Sequence, residues 1–425
     1  AWTREPGSTV SLRPGDIPNS ADPMHEVAKR IPGIKPPAVW LPHTIQGIST
    51  AGLIEDLTGG DFGPFAGQFY ISDQGQSKIV RMSMEKIKGV WQGASYNFRE
   101  GFECGIIRLT MGEDATLWVG ETNRGWGSVG EKTEGLERLV WTGETPFEIL
   151  EAKAQSDGFL LSFTEPVDPA IAADPASYSV TSFTYKYHKT YGSPPINVAP
   201  HQIAKIEVAD DGLSVRIALP KLREGYIHEI KAPGLRSAKS GTALLHDTTY
   251  YTLNQIPYGD RIIPIRLEAE TITRHHHVPA VATNAASAKN QTTAPADWNG
   301  KAADKVFNLG TEPGLKFDQT LLTAKAGDRV QLTFNNVDDM MHNFVLTTPG
   351  TGQTVGAAAM QLGVSGEGMS FVPNSTEVIA HTTILQPEST ETIYFTVPNK
   401  PGDYDFVCTF PGHSILMKGI LRVTR

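Results

Sequence analysis

Alternation of apolar and polar positions is most regular in the last third of the chain. Val306-Phe307-Asn308-Leu309, Arg329-Val330-Gln331-Leu332-Thr333-Phe334-Asn335-Asn336, Phe344-Val345-Leu346, Thr392-Ile393-Tyr394-Phe395-Thr396-Val397, Tyr404-Asp405-Phe406-Val407 and Gly419-Ile420-Leu421-Arg422-Val423 follow the strand period of two, which puts every second side chain on one face. Ala326-Gly327-Asp328 reads as a turn ahead of one of these strands. Residues 305–425 therefore predict a two-sheet Greek-key sandwich.

The earlier chain has shorter runs. Phe159–Thr164, Tyr178–Thr181, Ile203–Val208, Leu213–Leu219 and Tyr250–Leu253, with the turn Asp210-Asp211-Gly212, predict an immunoglobulin- or fibronectin-like sandwich over 146–257. Gly67–Gln74 and Ser77–Met82 read as two strands joined by a polar turn, and Ala115–Thr122 with Leu136–Trp141 repeats that pattern about 48 residues on. That interval is close to one propeller blade, so 1–145 is expected to be a partial β-propeller-like segment. Within it, the proline-rich residues 1 to about 50 predict extended, irregular chain. Residues 258–304, with the Ala-, Thr-, Asn- and Ser-rich stretch Ala280 to Asp297, read as a linker. The predicted class is all-β.

Composition agrees with that division. A chain of 425 residues has room for two to four domains, and 41 Gly with 29 Pro favour turns and short strands over long helices. A net charge of -9 with 20% charged residues and no basic patch argues against a nucleic-acid partner. No apolar run reaches the length of a membrane span, and Ala1-Trp2-Thr3-Arg4 starts no signal-peptide core. The expectation is that either a signal has been removed or the chain is a piece of something longer.

The chemistry concentrates near the end. Cys408, His413 and Met417 lie on one short loop, and His342 lies upstream in Met341-His342-Asn343. A thiolate, two imidazoles and a thioether make a soft, mixed donor set, and two His with one Cys and a weak axial Met is the blue-copper pattern. With Cys408 committed to copper, Cys104 is expected to be a free, buried thiol. Three further imidazoles stand at His275-His276-His277, but neighbours in extended chain point to alternate sides, so at most two converge. His25 and His43 have no partner at ligand spacing, and His381 lies off the motif. Tyr185, Tyr187 and Tyr191, near Pro194-Pro195, are candidates for a binding surface or for plain packing.

Residues 306–425 resemble the azurin and auracyanin branch of the cupredoxins, through Met341-His342-Asn343, Phe371-Val372-Pro373 and the whole loop from Cys408 to Met417. The resemblance implies a cupredoxin domain with one type 1 copper. His342, Cys408 and His413 would be its equatorial ligands and Met417 its axial one, with a weak opposite contact from the carbonyl of Met341, where the family usually has Gly. It also implies backbone N–H donation from Asn343 and Phe410 to the Cys408 sulfur, and a periplasmic or secreted location. His413 is expected to show its ring edge to solvent through an apolar rim of Met340, Phe410, Pro411 and Gly412. Residues 32–257 resemble the closing part of bacterial sorbosone or glucose dehydrogenase-like propeller proteins, in Gly63–Gln68, Phe98–Phe102 and Thr122–Gly127. A closed propeller needs at least four blades, and about two or three fit here.

Two catalytic copper arrangements are excluded by the loop. Wiring to a second copper uses a His beside the Cys, and the neighbours here are Val407 and Thr409; a binuclear centre needs a second Cys, and the loop has none. The donor set is closed, with no open position for a substrate, so no catalytic residue is assigned. The expected function is one-electron transfer between a dehydrogenase and a redox partner such as a cytochrome c. The competing expectations are a quinoprotein-type sugar or alcohol dehydrogenase, an oxidoreductase with copper as its outlet, and a scaffold that presents a copper module.

Overall fold

The computed structural model describes residues 20–31, 34–124, 127–188, 193–264, 289–312, 315–338 and 340–425. Strands account for 42% of the described residues and helices for 9%, so sheets carry the architecture. The chain divides into two compact units, Ala1–Thr122 with Lys132–Leu267, and Asn123–Glu131 with Glu268–Arg425.

The first unit is built on an eight-stranded sheet. Its order is Thr50–Glu55, Phe69–Asp73, Lys78–Ile87, Val90–Glu100, Thr248–Leu253, Tyr226–Lys231, Ser179–Thr184, Ile196–His201. A four-stranded sheet (Lys205–Val208, Ser214–Ala218, Gly158–Phe163, Ile149–Gln155) and a three-stranded one (Ile106–Met111, Leu117–Thr122, Glu134–Leu139) complete it. Both predicted strand pairs form, 69–73 against 78–82 and 117–122 against 134–139.

A boundary at 145 does not match the hydrogen bonding. Thr249 pairs with Tyr96 and Tyr251 with Ala94, so strands from either side of it share the large sheet. The physical reason is the core: Ala94 and Tyr96 are buried in one cluster with Phe159, Ile230 and Tyr251. None of the sheets formed by the described residues closes on itself, and neither the propeller nor the separate immunoglobulin-like sandwich is confirmed. Irregular chain expected before residue 50 is interrupted by a short helix, Met24–Arg30. Tyr185 is buried, its hydroxyl accepting from the backbone N–H of His43 at 3.0 Å. Tyr191, His275, His276 and His277 lie outside the described residues, as do Gly125 and Trp126 of the dehydrogenase-like stretch.

The second unit is a two-sheet sandwich, as the alternation predicts. One sheet runs Lys316–Phe317, Lys305–Glu312, Arg329–Asn336, Ser389–Thr396; the other runs Leu321–Lys325, Lys418–Thr424, Gly402–Val407, Val345–Thr347, Val378–His381. Val330, Leu332 and Phe334 from one sheet meet Tyr404, Phe406, Leu421 and Val423 from the other in a single core. Val129 packs against the same core. Part of the stretch read as a linker is tied to this unit: the carbonyl of Lys289 accepts from His381, that of Gln291 accepts from Tyr394, and Trp298 Nε1 donates to Thr396 Oγ1.

Candidate metal centre

Register brings the distant histidine to the cysteine loop. Val345 pairs with Val407, so the segment before one strand and the segment after the other emerge at the same end of the sheet. His342 is held to Leu385 by two backbone bonds, 3.2 Å from its N–H and 2.8 Å to its carbonyl. Asn336, at the end of strand Arg329–Asn336, ties the intervening loop by donating to the carbonyls of Met340 and Leu385.

The other three side chains ride on one hairpin. Strand Gly402–Val407 pairs with Lys418–Thr424, Val407 opposite Lys418, and the N–H of Cys408 donates to the carbonyl of Met417 at 3.0 Å. Between them the loop tightens into a turn in which His413 N–H donates to the Phe410 carbonyl and Met417 N–H to the His413 carbonyl, at 2.9 and 2.8 Å. Gly412 makes that turn at φ +85°, a left-handed conformation open to glycine.

Three donor atoms converge. Cys408 Sγ lies 3.7 Å from His342 Nδ1 and 3.6 Å from His413 Nδ1, and the two Nδ1 atoms lie 3.2 Å apart. A metal with bonds of about 2.0 Å to nitrogen and about 2.3 Å to sulfur, centred in a trigonal plane, needs roughly 3.5 Å between nitrogens and roughly 3.7 Å from nitrogen to sulfur. The residues fit such an ion. Cys408 and His342 are 0% exposed and His413 is 2% exposed, so the donors face one another in a dry pocket. Among the described residues this is the one cluster of three or more His, Cys, Asp or Glu groups able to hold a metal. Met417 is fully buried in the same core cluster as Cys408 and Phe410.

The surroundings of His413 differ from expectation, and the side chains of Asn343 and Met341 make contacts of their own. His413 does not show its edge to solvent: its ring is enclosed by Phe410, centroids 4.8 Å apart, and His342, at 4.9 Å, with Phe371 behind Phe410 at 5.2 Å. The Asn343 side chain donates to Ser370 O and Thr409 Oγ1 and accepts from Thr409 N–H. Met341 turns its sulfur to Gln386, whose Nε2 lies 3.0 Å away.

Sequence reasoning missed Asp338. Its Oδ2 accepts from His342 Nε2 at 3.1 Å, and the carboxylate is 8% exposed. An acid four residues before a candidate ligand histidine is the available signal, but the intervening loop hides it. Burial disfavours a charged His342, yet the hydrogen bonds to Asp338 and Cys408 outweigh it and raise the group to about 9. Burial, then repulsion from His342, pushes His413 well below the ordinary imidazole range.

The model of copper binding proteins of the plastocyanin/azurin family matches residues 305–424. Auracyanin-A of Chloroflexus aurantiacus is 32% identical over 127 residues, 29% of this chain and 76% of that protein. The chain belongs to the plastocyanin/azurin family. Azurin of Pseudomonas denitrificans is 42% identical over 85 residues, 19% of this chain and 64% of the azurin. Auracyanin-B of Chloroflexus aurantiacus is 33% identical over 150 residues, and the chain spans 61% of its length. The solved structure of dithionite-reduced auracyanin from Roseiflexus castenholzii is matched over 29% of this chain and 100% of that one, at 32% identity and a TM-score of 0.27. Copper is the metal of this plastocyanin/azurin-type domain, one type 1 ion, and its chemistry is electron transfer.

Proposed function

We propose that residues 305–425 carry electrons one at a time, with His342, Cys408 and His413 as equatorial ligands of the copper and Met417 as the axial one. The observation that carries this is the convergence of one Sγ and two Nδ1 atoms within 3.7 Å of one another in a buried pocket. When bound, copper supplies a centre that accepts and releases one electron.

The protein's part is to keep geometry constant across that change. Two backbone bonds fix His342 to Leu385, the Cys408 N–H is anchored on Met417, and Phe410 packs on His413. Burial excludes water from the donors, which leaves no place for a substrate. Cys408 as thiolate and Met417 as thioether provide the soft ligands that suit both oxidation states. By the domain's resemblance to azurins, the N–H groups of Asn343 and Phe410 would steady the thiolate, and the Met341 carbonyl would offer the ion a weak further contact.

The donor or acceptor is a redox protein such as a cytochrome c or a dehydrogenase. Val337, 70% exposed, and Ile415, 52% exposed, lie on the segments that carry His342 and His413 and offer apolar side chains to a docking protein. The dehydrogenase-like stretches of 32–257 support a dehydrogenase as the source of electrons. We place the protein in the periplasm or outside the cell, as the family resemblance implies; no helix among the described residues is long and apolar enough to cross a membrane. Voltammetry of the copper-loaded chain tests the reading: one copper per chain with a reversible one-electron wave is expected, and a copper-loaded chain without redox response overturns it.

A further inference from the structure

The two histidines of the centre are held differently at their far nitrogens. His342 Nε2 faces the buried carboxylate of Asp338 at 3.1 Å, whereas His413 Nε2 is buried with no hydrogen-bond partner among the described residues. Asp338 is itself fixed: its N–H lies 3.0 Å from Thr311 Oγ1 and 3.2 Å from Asn336 Oδ1. An ionised carboxylate only accepts, so when His342 gives up one proton to bind a metal it keeps the other on Nε2 and frees Nδ1, the atom facing Cys408, as the donor.

We infer that Asp338 is a positioning residue that tunes the centre toward the oxidised state. It holds His342 in the ligating tautomer and, by drawing on the Nε2 proton without taking it, makes Nδ1 a stronger donor. Its negative charge adds to the effect, because reduction removes one positive charge from the metal site and an anion nearby favours the more positive form. The inference rests on the ligand assignment proposed above. It gives the two imidazoles different parts: His342 is the anchored, electron-rich ligand, and His413 is held by packing alone at its outer edge.

The test compares copper-loaded full-length wild type with Asp338→Asn and Asp338→Ala, by visible spectrum and by potentiometry. Asp338→Asn keeps the shape and an acceptor oxygen but loses the charge. We expect it to keep the thiolate-to-copper band while its preference for Cu(II) over Cu(I) falls about tenfold, a rise in potential of about 59 mV for one electron. Asp338→Ala, which removes the acceptor as well, is expected to raise the potential at least as far. An unchanged potential in Asp338→Asn with the band intact overturns the inference and leaves the ligand assignment standing. Pulsed electron paramagnetic resonance of wild-type Cu(II) protein gives a reading that no variant's folding affects. Two inequivalent remote imidazole nitrogens are expected, and two equivalent ones overturn the inference. A wild type that lacks the band contradicts the ligand assignment, and the role of Asp338 with it.

Discussion

Asn343 and Thr409 clasp each other twice, Thr409 N–H donating to Asn343 Oδ1 at 2.7 Å and Asn343 Nδ2 to Thr409 Oγ1 at 2.8 Å. Each is the next residue after a proposed ligand, so the clasp sets the separation of His342 from Cys408 across 66 residues of chain. Both residues are at most 1% exposed. Asn343→Ala leaves the Thr409 N–H and the Ser370 carbonyl without their partner, at about 1–3 kcal/mol for a buried unsatisfied group. A loss of about 2–3 kcal/mol in chemical unfolding of the apo domain is expected, and a loss under about 0.5 kcal/mol, the scale of a neutral surface change, would count against the clasp.

Gly356 is the contact point of helix Gly352–Met360 with the ligand loop. A Cβ there would stand 2.1 Å from Ser414 Oγ and 2.4 Å from Ser414 Cβ, one residue from His413. Gln353 Nε2 on the same helix donates to the Ser414 carbonyl at 2.5 Å. Gly356→Ala gains helix propensity of up to about 1 kcal/mol but must displace the loop, and overpacking of this kind costs about 1–3 kcal/mol. Weaker copper retention against a chelator is the expected result, with Gly368→Ala, which meets nothing within 4 Å, as the silent control.

Glu121 gives the first unit a pH dependence. Burial, reinforced by neighbouring Glu137 and opposed by the Cys104 N–H that donates to it at 2.9 Å, raises its carboxyl from 4.5 to about 7. Between those values the folded chain keeps a proton that the unfolded chain has lost, so stability falls as pH rises across the window and levels off above it. Thermal midpoints from pH 5 to 8 should show that decline in wild type. Glu121→Gln, which cannot ionise, should show a flatter curve, and an equal slope in both chains would assign the dependence to other groups. The nearby Cys104 is a free, buried thiol raised to about 11, with burial the largest cause, and thiol reagents at pH 7 should label it only on unfolding.

Much of this was legible before any coordinates, because period-two patterning and ligand spacing are local. Strands Arg329–Asn336 and Ser389–Thr396 follow from alternation, and the Cys408 to Met417 loop names its own chemistry. What pairs with what is not local. The strand pairing of Thr249 with Tyr96, which joins stretches read as separate domains, spans 153 residues, counted as 249 − 96, and the parallel pairing of Leu321–Lys325 with Lys418–Thr424 leaves no turn signal between them. Buried charge is equally silent. Arg81 looks like the polar phase of a strand, yet it is 1% exposed, stacked between Phe65 and Tyr96 at 3.9 and 4.1 Å, and donates to the carbonyls of Ile149 and Leu150. Asp338 was hidden for the same reason: only the fold of its loop turns it toward His342.

The visible spectrum after addition of Cu(II), compared between wild type and Cys408→Ser, tests the central claim most directly. A serine keeps the size of the side chain and removes the sulfur whose charge transfer to copper gives the colour. An intense band in wild type that is lost in Cys408→Ser is the predicted result. A copper-loaded wild type without such a band, or a Cys408→Ser protein that retains it, would contradict the assignment of Cys408, with His342 and His413, as the centre of a type 1 copper site.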